Sequence, residues 1–414
     1  MTGNNYSSEL RAEREHYLQL VSTDTAPHGR QEEIRNALLF SFGVLALQNG
    51  GATSNSKKGK AKEISPIFPQ YAFLGLCVEN PEDEEDDGTV DTEPETMSHK
   101  TDPESTAAQS NVRSDQTADP IILNINAPFS VFICGSQGSG KSHTMSCMLE
   151  GCLSPDDRIG RLPNPLSGIV FYFAAADSAA CEAAYLCSLG IKVIVPSTNL
   201  SKRQSIYSQL SGAKENLTVE ELFFLDTHLN AASFQELMAF SNTAELLLYM
   251  MVVKQVLRNH VMGSANQRFD FFEIRNQIRD SLKKKVKKNA APSDDPLKNL
   301  SPQQKTHLSQ RLSLIDAMVK SSKNAGKDLF KAERNTLTIT DLSDLFIDAA
   351  AAYALFKICM SVFLEDQSDI GRVVALDEAH NYLGAATVSK EFGEALLKAI
   401  REQRHIAARV IIAT

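Results

Sequence analysis

The chain has 414 residues and a net charge of −9, and its 43% hydrophobic and 22% charged residues are typical of a folded globular protein. No stretch approaches the ~20 consecutive apolar residues of a membrane span, and the first residues lack the basic and apolar segments of a secretory signal, so we expect no membrane partner. The seven cysteines show no paired C-x-x-C spacing, which predicts reduced thiols in an intracellular protein of the nucleus or cytoplasm.

Residues 1–78 are predicted to form a mostly helical N-terminal region. A segment of leucines and glutamates runs over 7–21, and a second apolar segment runs over 34–47. The stretch 67–78 is different, because its apolar character is typical of a strand. We therefore expect two helices and one strand at the start of the chain.

Residues 79–120 are predicted to be a disordered acidic linker. Between residues 79 and 104 there are twelve acidic residues and one lysine, so this part carries −11 and the rest of the chain carries +2. The segment is also rich in Ser, Thr and Pro and has almost no apolar residues. Such a composition cannot bury enough surface to offset the entropy of the chain.

The most informative motif is the octet Gly-Ser-Gln-Gly-Ser-Gly-Lys-Ser at 135–142. It fits the phosphate-loop pattern G-x-x-x-x-G-K-[ST] at every fixed position. An apolar run at 130–134 is suited to a buried strand, and 143–150 continues as a helix, which is the context that this motif needs. Backbone N–H groups of the loop and of the helix start can hold a triphosphate, so we predict that the chain binds ATP.

Each residue of this loop therefore has a predicted role. Lys141 would neutralise the β- and γ-phosphates, and the Ser142 hydroxyl would bind a Mg²⁺ ion. Lys141 also counts as catalytic, because phosphoryl transfer depends on positioning and charge neutralisation. The predicted nucleotide contacts are Gly135, Ser136, Gln137, Gly138, Ser139, Gly140, Lys141, Ser142 and His143.

The first part of the nucleotide-binding core is predicted to span 121–200. The candidates are strands at 121–123, 168–173 and 191–195 and a helix at 178–189, with Asp177 or Ser178 as its N-cap. Such alternation of strand and helix implies right-handed crossovers and a parallel sheet.

Residues 201–333 are predicted to be a large helical insertion. The helix candidates are at 219–228, 233–240, 243–260, 271–282 and 302–319. Ser301 followed by Pro302 is a helix-start signature, because proline suits the first helical position. The basic run at 283–288 has two interpretations, a patch that contacts nucleic-acid phosphates or a solvated loop.

The parallel-sheet pattern returns in residues 334–414, the second part of the predicted core. The candidates are strands at 336–342, 372–376 and 409–414 and helices at 348–364 and 389–405. The strand at 372–376 runs into Asp377 and Glu378, which in a phosphate-loop enzyme is the Walker B element. Asp377, with Ser142, would bind Mg²⁺, and Glu378 would polarise the water that attacks the γ-phosphate.

Other polar residues near strand ends have two interpretations each. In an additional-strand NTPase, a polar residue at the end of the strand between the loop strand and the Walker B strand senses the γ-phosphate. Thr340 and Thr414 both end strand candidates, and Thr414 closes the stretch where the sensor strand should be; an ordinary strand end is the alternative. Arg401, Arg404 and Arg409 could supply an arginine finger to a neighbouring subunit, or could be solvated arginines near a helix end.

Together these motifs resemble the HerA/FtsK superfamily of additional-strand ATPases, most closely its uncharacterised fungal AAA-like proteins. The resemblance covers about 121–200 and 334–414. It rests on the blocks GSGKSHT at 138–144, DEAHNYL at 377–383 and IREQRHIAARVIIAT at 400–414. It implies a RecA-like αβα sandwich, Mg²⁺-dependent ATP hydrolysis, a homo-hexamer and DNA as a partner.

The chain departs from that family in three respects. The family's sensor strand continues into a glutamine directly after the position of Thr414, so the core is predicted to be truncated at the sensor strand. The family's N-terminal β-barrel has no counterpart in a helical N-terminal region. The insertion at 201–333 separates the two halves of the site.

Two alternatives to such an ATPase stay open. Without the sensor glutamine, the chain could bind ATP as a switch or scaffold that does not hydrolyse it efficiently. Asp377-Glu378-Ala379-His380 also spells the DEAH box of superfamily-2 helicases, which place this box much closer to the phosphate loop and follow it with a second RecA domain. Here Asp377 follows Lys141 by 236 residues, and 34 residues follow His380.

Overall fold

A computed structural model of the chain describes residues 35–41, 43–44, 68–77, 119–174, 179–238, 244–263, 269–283, 296–324, 326–366, 368–381 and 387–414. The helix predicted at 7–21, almost all of the acidic linker and 284–288 of the basic run lie outside these residues. The chain divides into two compact units, Met1–Phe68 with Phe73–Asn124 and Pro69–Ala72 with Ile125–Thr414. None of the helices in the described part is both long and apolar enough to cross a membrane.

The first unit contains strands where the sequence suggested helices. Its strands are β1 (Leu39–Ser41), most of β2 (Tyr71–Cys77) and β3 (Asp119–Asn124). β1 pairs antiparallel with β3, and the ring of Phe40 stacks on Phe68 at 4.1 Å between centroids. The helix predicted over 34–47 is therefore wrong at this point, because pairing with another strand and side-chain packing outweigh a local helical pattern. The strand predicted at 67–78 is confirmed as β2.

The strand at 121–123 also exists, as part of β3, but it belongs to the first unit. Apart from Pro69–Ala72, the second unit begins at Ile125. The Asn124 side chain donates hydrogen bonds of 2.8 Å to the carbonyls of Arg35 and Ala37, which ties the end of β3 to the segment that precedes β1.

The second unit is built from ten strands and nine helices in the described ranges. The strands are β4 (Ser130–Ile133), β5 (Gly160–Arg161), β6 (Ser167–Tyr172), β7 (Gly190–Val195), β8 (Leu217–Glu221), β9 (Phe224–Leu225), β10 (Val319–Lys320), β11 (Thr336–Asp341), β12 (Arg372–Leu376) and β13 (Ala408–Ala413). The helices are α1 (Lys141–Leu153), α2 (Leu200–Tyr207), α3 (Ala213–Asn216), α4 (Ala231–Met238), α5 (Ala244–Gly263), α6 (Phe271–Lys283), α7 (Pro302–Met318), α8 (Ala349–Glu365) and α9 (Thr387–Glu402).

Seven strands form one parallel sheet in the order β4-β13-β12-β6-β11-β7-β8. Every residue of β6 and β12 is buried, as expected for short apolar strands that are covered on both faces. The predicted strands at 168–173, 191–195, 336–342, 372–376 and 409–414 are confirmed, with ends that differ by one or two residues.

Helices cover both faces of this sheet. On one face, Gly168 of β6 lies so close to α1 that a Cβ would be 3.0 Å from Leu153 Cδ1, so a larger residue there would require Leu153 to shift. On the other face, the ring of Phe171 packs against Phe356 of α8 and Phe392 of α9, with centroids 4.9 and 6.1 Å apart. Residues 168 and 171 point to opposite sides because side chains alternate along a strand. The RecA-like αβα architecture predicted from the sequence is confirmed.

The segment 201–333 contains strands where only helices were predicted. The helix expected at 219–228 is wrong: β8 pairs with β7 and extends the main sheet, and β9 and a 3₁₀ turn at Asp226–His228 follow. The open edge of β7 provides a strand partner that a local pattern does not reveal. The other four helices of this segment are confirmed as α4 to α7. Ser301 caps α7 and forms a reciprocal pair with Gln304, as the helix-start signature indicates.

The helix predicted at 178–189 is also wrong in its described part. Only a 3₁₀ turn at Glu182–Tyr185 is present. The Ala179 carbonyl accepts a hydrogen bond from Arg203, and the Cys181 N–H donates one to the Tyr207 hydroxyl. In a helix, these backbone groups would form hydrogen bonds with other backbone groups of the same helix. Here they bond to side chains of α2 instead, so tertiary contacts replace the helix.

Candidate functional site

The predicted site residues come together at one edge of the parallel sheet. β13 lies between β4, which precedes the octet at 135–142, and β12, which precedes Asp377. Because the three strands are parallel, their carboxyl ends are neighbours. The Thr414 N–H donates to the Ile133 carbonyl at 3.0 Å, which places Thr414 beside the start of the phosphate loop. The expectation that 411–414 belongs to the strand between loop and Walker B strands is confirmed.

Thr340 does not occupy the corresponding place. It lies in β11, which β6 separates from β12, and its side chain is fully buried. The sensor interpretation of Thr340 is therefore wrong, because only a residue on the strand between β4 and β12 fits that definition.

The phosphate loop has a backbone that glycine makes possible. Gly138 and Gly140 have φ values of 80° and 79°, in the left-handed region that other residues rarely adopt. At Gly135 a Cβ would come within 2.5 Å of the Ser139 Oγ. Helix α1 begins directly after Gly140, and no side chain caps its start. Its first N–H groups are therefore available to an anion at the helix N-terminus.

The two polar residues that end the loop face different partners. The Lys141 Nζ donates to the Ser136 carbonyl at 3.0 Å, which holds the ammonium over the loop. The Ser142 hydroxyl donates to Oδ1 of Asp377 at 2.9 Å. This second contact joins residues 235 positions apart in the sequence and brings the two predicted metal ligands together.

Asp377 is a buried carboxylate with several donors around it. It is only 2% exposed, and Oδ1 also accepts the N–H of Glu378 at 3.0 Å. The Cys181 Sγ lies 3.8 Å from Oδ2. The pKa of Asp377 is raised to about 6, mainly by burial and also by the charges of Glu378 and Glu182, although the hydrogen bonds from Ser142 and from the Glu378 N–H act in the opposite direction. A carboxylate in this environment would gain from a nearby cation.

We expect Asp377→Asn to stabilise the metal-free protein. Because the folded-state pKa lies above the ordinary value of 3.8, protonation of Asp377 favours folding, and this contribution is lost as the pH rises through about 6. At pH 7.5 the charged side chain costs about 3 kcal/mol, since one pKa unit corresponds to about 1.4 kcal/mol. The neutral variant should therefore have the higher free energy of unfolding in urea at pH 7.5, and the difference should shrink towards pH 5.

The matched control is Asp157→Asn, the same change at an exposed carboxylate, which should leave stability within ~0.5 kcal/mol. An Asp377→Asn protein that is less stable than the wild type at pH 7.5, or a stabilisation that does not change with pH, would contradict the account of this carboxylate.

Glu378 sits in a strained turn beside Asp377. Its φ is 52°, which is uncommon for a residue other than glycine and is found at functional sites more often than elsewhere. The turn continues into a 3₁₀ segment at Ala379–Asn381. The Glu378 carboxylate lies 3.2 Å from the Nδ1 of His380 and is 41% exposed. Solvent therefore reaches the Glu378 carboxylate, as the predicted role of a general base requires.

One serine oxygen and one aspartate oxygen are suitable ligands for the Mg²⁺ ion that the sequence predicts. Mg²⁺ prefers oxygen ligands and usually takes one or two carboxylates from the protein together with phosphate oxygens. Ser142 Oγ and Asp377 Oδ1 are such ligands, next to a loop that can hold phosphates. Among the described residues, no group of three or more His, Cys, Asp or Glu side chains could hold a metal ion.

The remaining sequence candidates fall into two classes. His143 is exposed, with its Nε2 3.7 Å from the Cys147 Sγ, and Arg401 and Arg404 are exposed near the end of α9, so their roles stay predictions. Arg409 is only 4% exposed and donates to the carbonyls of Ala407 and Ile125 at 2.9 and 2.7 Å. The interpretation of Arg409 as an arginine finger is therefore wrong, because its guanidinium is buried inside the same chain and cannot reach a neighbouring subunit.

Sequence reasoning missed a buried polar cluster beside Asp377. Asp341 is the last residue of strand β11, just as Asp377 directly follows strand β12. The Asp341 carboxylate forms an ion pair with Arg203 and accepts a hydrogen bond from Tyr207, both in α2. The sequence contained a signal for Asp341, because an apolar strand that ends in a carboxylate occurs at Asp341 as well as at Asp377. Cys181 had no distinguishing signal among seven cysteines.

Comparison with known proteins adds no family to this description. No known protein family matches the chain, and no curated protein is significantly similar to it. We therefore infer a function from the geometry of the site.

Proposed function

We propose that the chain binds ATP together with Mg²⁺ at the phosphate loop and hydrolyses the γ-phosphate. The observation that carries this proposal is the 2.9 Å hydrogen bond between Ser142 Oγ and Asp377 Oδ1. It joins the end of a phosphate loop to the carboxylate of a Walker B strand, at the carboxyl edge of a parallel sheet, where nucleotide sites form in such folds.

The residues of the site divide the task among them. The N–H groups of the loop and of the first turn of α1 would hold the phosphates, and Lys141 would neutralise their charge. Ser142 and Asp377 would hold Mg²⁺, which when bound would neutralise the charge that develops in the transition state of phosphoryl transfer. Glu378 would accept a proton from the attacking water, and it stands next to the metal ligand in sequence.

Phosphate release from ATP by the purified full chain tests this proposal. We expect release in the presence of Mg²⁺ and none when EDTA removes it. A chain that releases no phosphate in Mg²⁺, under conditions where its thermal unfolding shows it to be folded, would contradict hydrolysis.

An ATP-binding switch without efficient turnover is the second candidate. The contact between Glu378 and His380 favours it, since a general base that is paired with an imidazole is less available to water. Single-turnover hydrolysis separates the two candidates. A switch would bind ATP and retain it unhydrolysed, whereas the proposed ATPase would convert the bound ATP in one turnover.

The resemblance to the HerA/FtsK superfamily adds DNA and a hexamer, and both stay predictions. They are tested by the mass of the protein in solution with ATP and by phosphate release with and without double-stranded DNA. Six copies per particle and faster release on DNA would support them, and a monomer with a rate that DNA does not change would contradict them.

A further inference from the structure

A cluster of buried polar side chains lies beside the Walker B carboxylate and has no role in the reaction described above. Arg203 and Asp341 form an ion pair of 3.3 Å, and both side chains are completely buried. The Tyr207 hydroxyl, also fully buried, donates to Oδ2 of Asp341 at 2.8 Å. The Ser343 N–H donates to Oδ1 of the same carboxylate at 3.0 Å.

Helix α2 presents this cluster on one of its faces. Arg203 and Tyr207 are four residues apart, which places them on the same side of the helix, towards the end of β11. A buried ion pair is often no more stabilising than apolar residues of similar size. Its presence here is better explained by what the two side chains hold than by stability alone.

The cluster holds the segment that passes next to Asp377. The Arg203 Nη1 donates to the Ala179 carbonyl at 2.7 Å, and the Tyr207 hydroxyl accepts the N–H of Cys181 at 3.2 Å. Two backbone bonds, two residues apart, therefore fix this stretch of chain to α2. Both come from the same buried pair of side chains, so the position of Cys181 depends on the cluster.

Cys181 in turn contacts the metal-binding carboxylate. Its Sγ lies 3.8 Å from Oδ2 of Asp377, while Oδ1 accepts from Ser142 and from the Glu378 N–H. Donors therefore lie at both oxygens of the carboxylate. They fix the plane of the group and direct Oδ1 towards the phosphate loop.

We propose that Arg203, Asp341 and Tyr207 position the Asp377 carboxylate through Cys181, and so set the affinity of the site for Mg²⁺. This inference rests on the proposed function, because it assigns residues that orient a ligand of the proposed metal. None of the four residues needs to touch ATP or Mg²⁺. They are positioning residues, comparable to the outer partners that orient ligands in other metal sites.

The test uses Tyr207→Phe and Cys181→Ala in the full chain. Tyr207→Phe removes the hydroxyl that accepts the Cys181 N–H and donates to Asp341, and Cys181→Ala removes the thiol next to Asp377. With a non-hydrolysable ATP analogue bound, the Mn²⁺ concentration at half-saturation, read from the electron paramagnetic resonance of free Mn²⁺, should rise about tenfold in each variant. Affinity for the analogue in EDTA should be unchanged.

Two further variants separate positioning from a structural role. Cys359→Ala deletes a thiol that is equally buried, in α8, and should lower thermal stability without changing the half-saturating Mn²⁺ concentration. Cys181→Ser keeps a donor at the same place and should fall closer to the wild type than Cys181→Ala.

The possible failures are distinguishable. A wild-type chain that binds no analogue and no Mn²⁺ overturns the proposed function itself. A wild type that binds both, together with Tyr207→Phe or Cys181→Ala proteins that are folded and keep the wild-type Mn²⁺ half-saturation, overturns the positioning inference alone. If Tyr207→Phe does not fold, Cys181→Ala decides.

Discussion

Lys141→Ala should weaken ATP binding by about 100-fold and reduce phosphate release below detection. The ammonium is the charged group of the loop that would contact the phosphates, and a lost hydrogen bond between charged groups costs up to ~3 kcal/mol. The effect on hydrolysis should exceed that on binding, since negative charge builds up on the leaving phosphate, which Lys141 would also contact, as its bond to the γ-phosphoryl group breaks. Binding is measured by equilibrium titration and hydrolysis by phosphate release.

The fold should tolerate this change. The Lys141 side chain donates one hydrogen bond, to the Ser136 carbonyl, at an exposed loop. Lys398→Ala, the same change at an exposed position of α9, is the matched control and should leave both binding and hydrolysis unchanged. Equal ATP affinity in the Lys141→Ala and Lys398→Ala proteins would show that the octet is a glycine-rich turn without a role in binding.

Glu378→Gln should separate binding from hydrolysis. Glutamine keeps the size and the hydrogen-bonding oxygen of the side chain but cannot accept a proton from water. General-base catalysis contributes about 10²- to 10⁴-fold, so kcat should fall by that factor while affinity for ATP and Mg²⁺ stays near that of the wild type. Rapid-quench measurement of a single turnover isolates the chemical step.

The matched control for this variant is Glu402→Gln, an exposed glutamate at the end of α9, which should not change kcat. A Glu378→Gln protein that turns over ATP as fast as the wild type would remove Glu378 from the reaction. A wild type as slow as the variant, with intact binding, would instead favour the switch.

Much of the sheet was predictable because its strands are short apolar runs between recognisable helices. β6, β7, β11, β12 and β13 all lie where periodicity placed them. β1 and β8 were not predictable, because each exists through pairing with a distant strand, β3 or β7. Local sequence gives no measure of an available partner, so both segments resembled helices.

The candidate site was predictable where a motif and a strand end coincide. The contact between Ser142 and Asp377 follows from the rule that parallel strands bring their carboxyl ends to one edge. The approach of Cys181 to Asp377 does not follow from that rule, because it depends on a connection between strands and on the side chains of α2. The burial of Arg409 could not be foreseen either, since an arginine at the start of a strand is usually solvated.

We propose above that the octet at 135–142 and Asp377 together hold one Mg²⁺-bound ATP. The decisive measurement is a calorimetric titration of the wild-type chain with a non-hydrolysable ATP analogue, in Mg²⁺ and in EDTA. We expect saturable binding of one nucleotide per chain that Mg²⁺ strengthens in the wild type but not in Asp377→Asn. The absence of saturable binding by the folded wild-type chain, or an affinity that Mg²⁺ does not change, would contradict it.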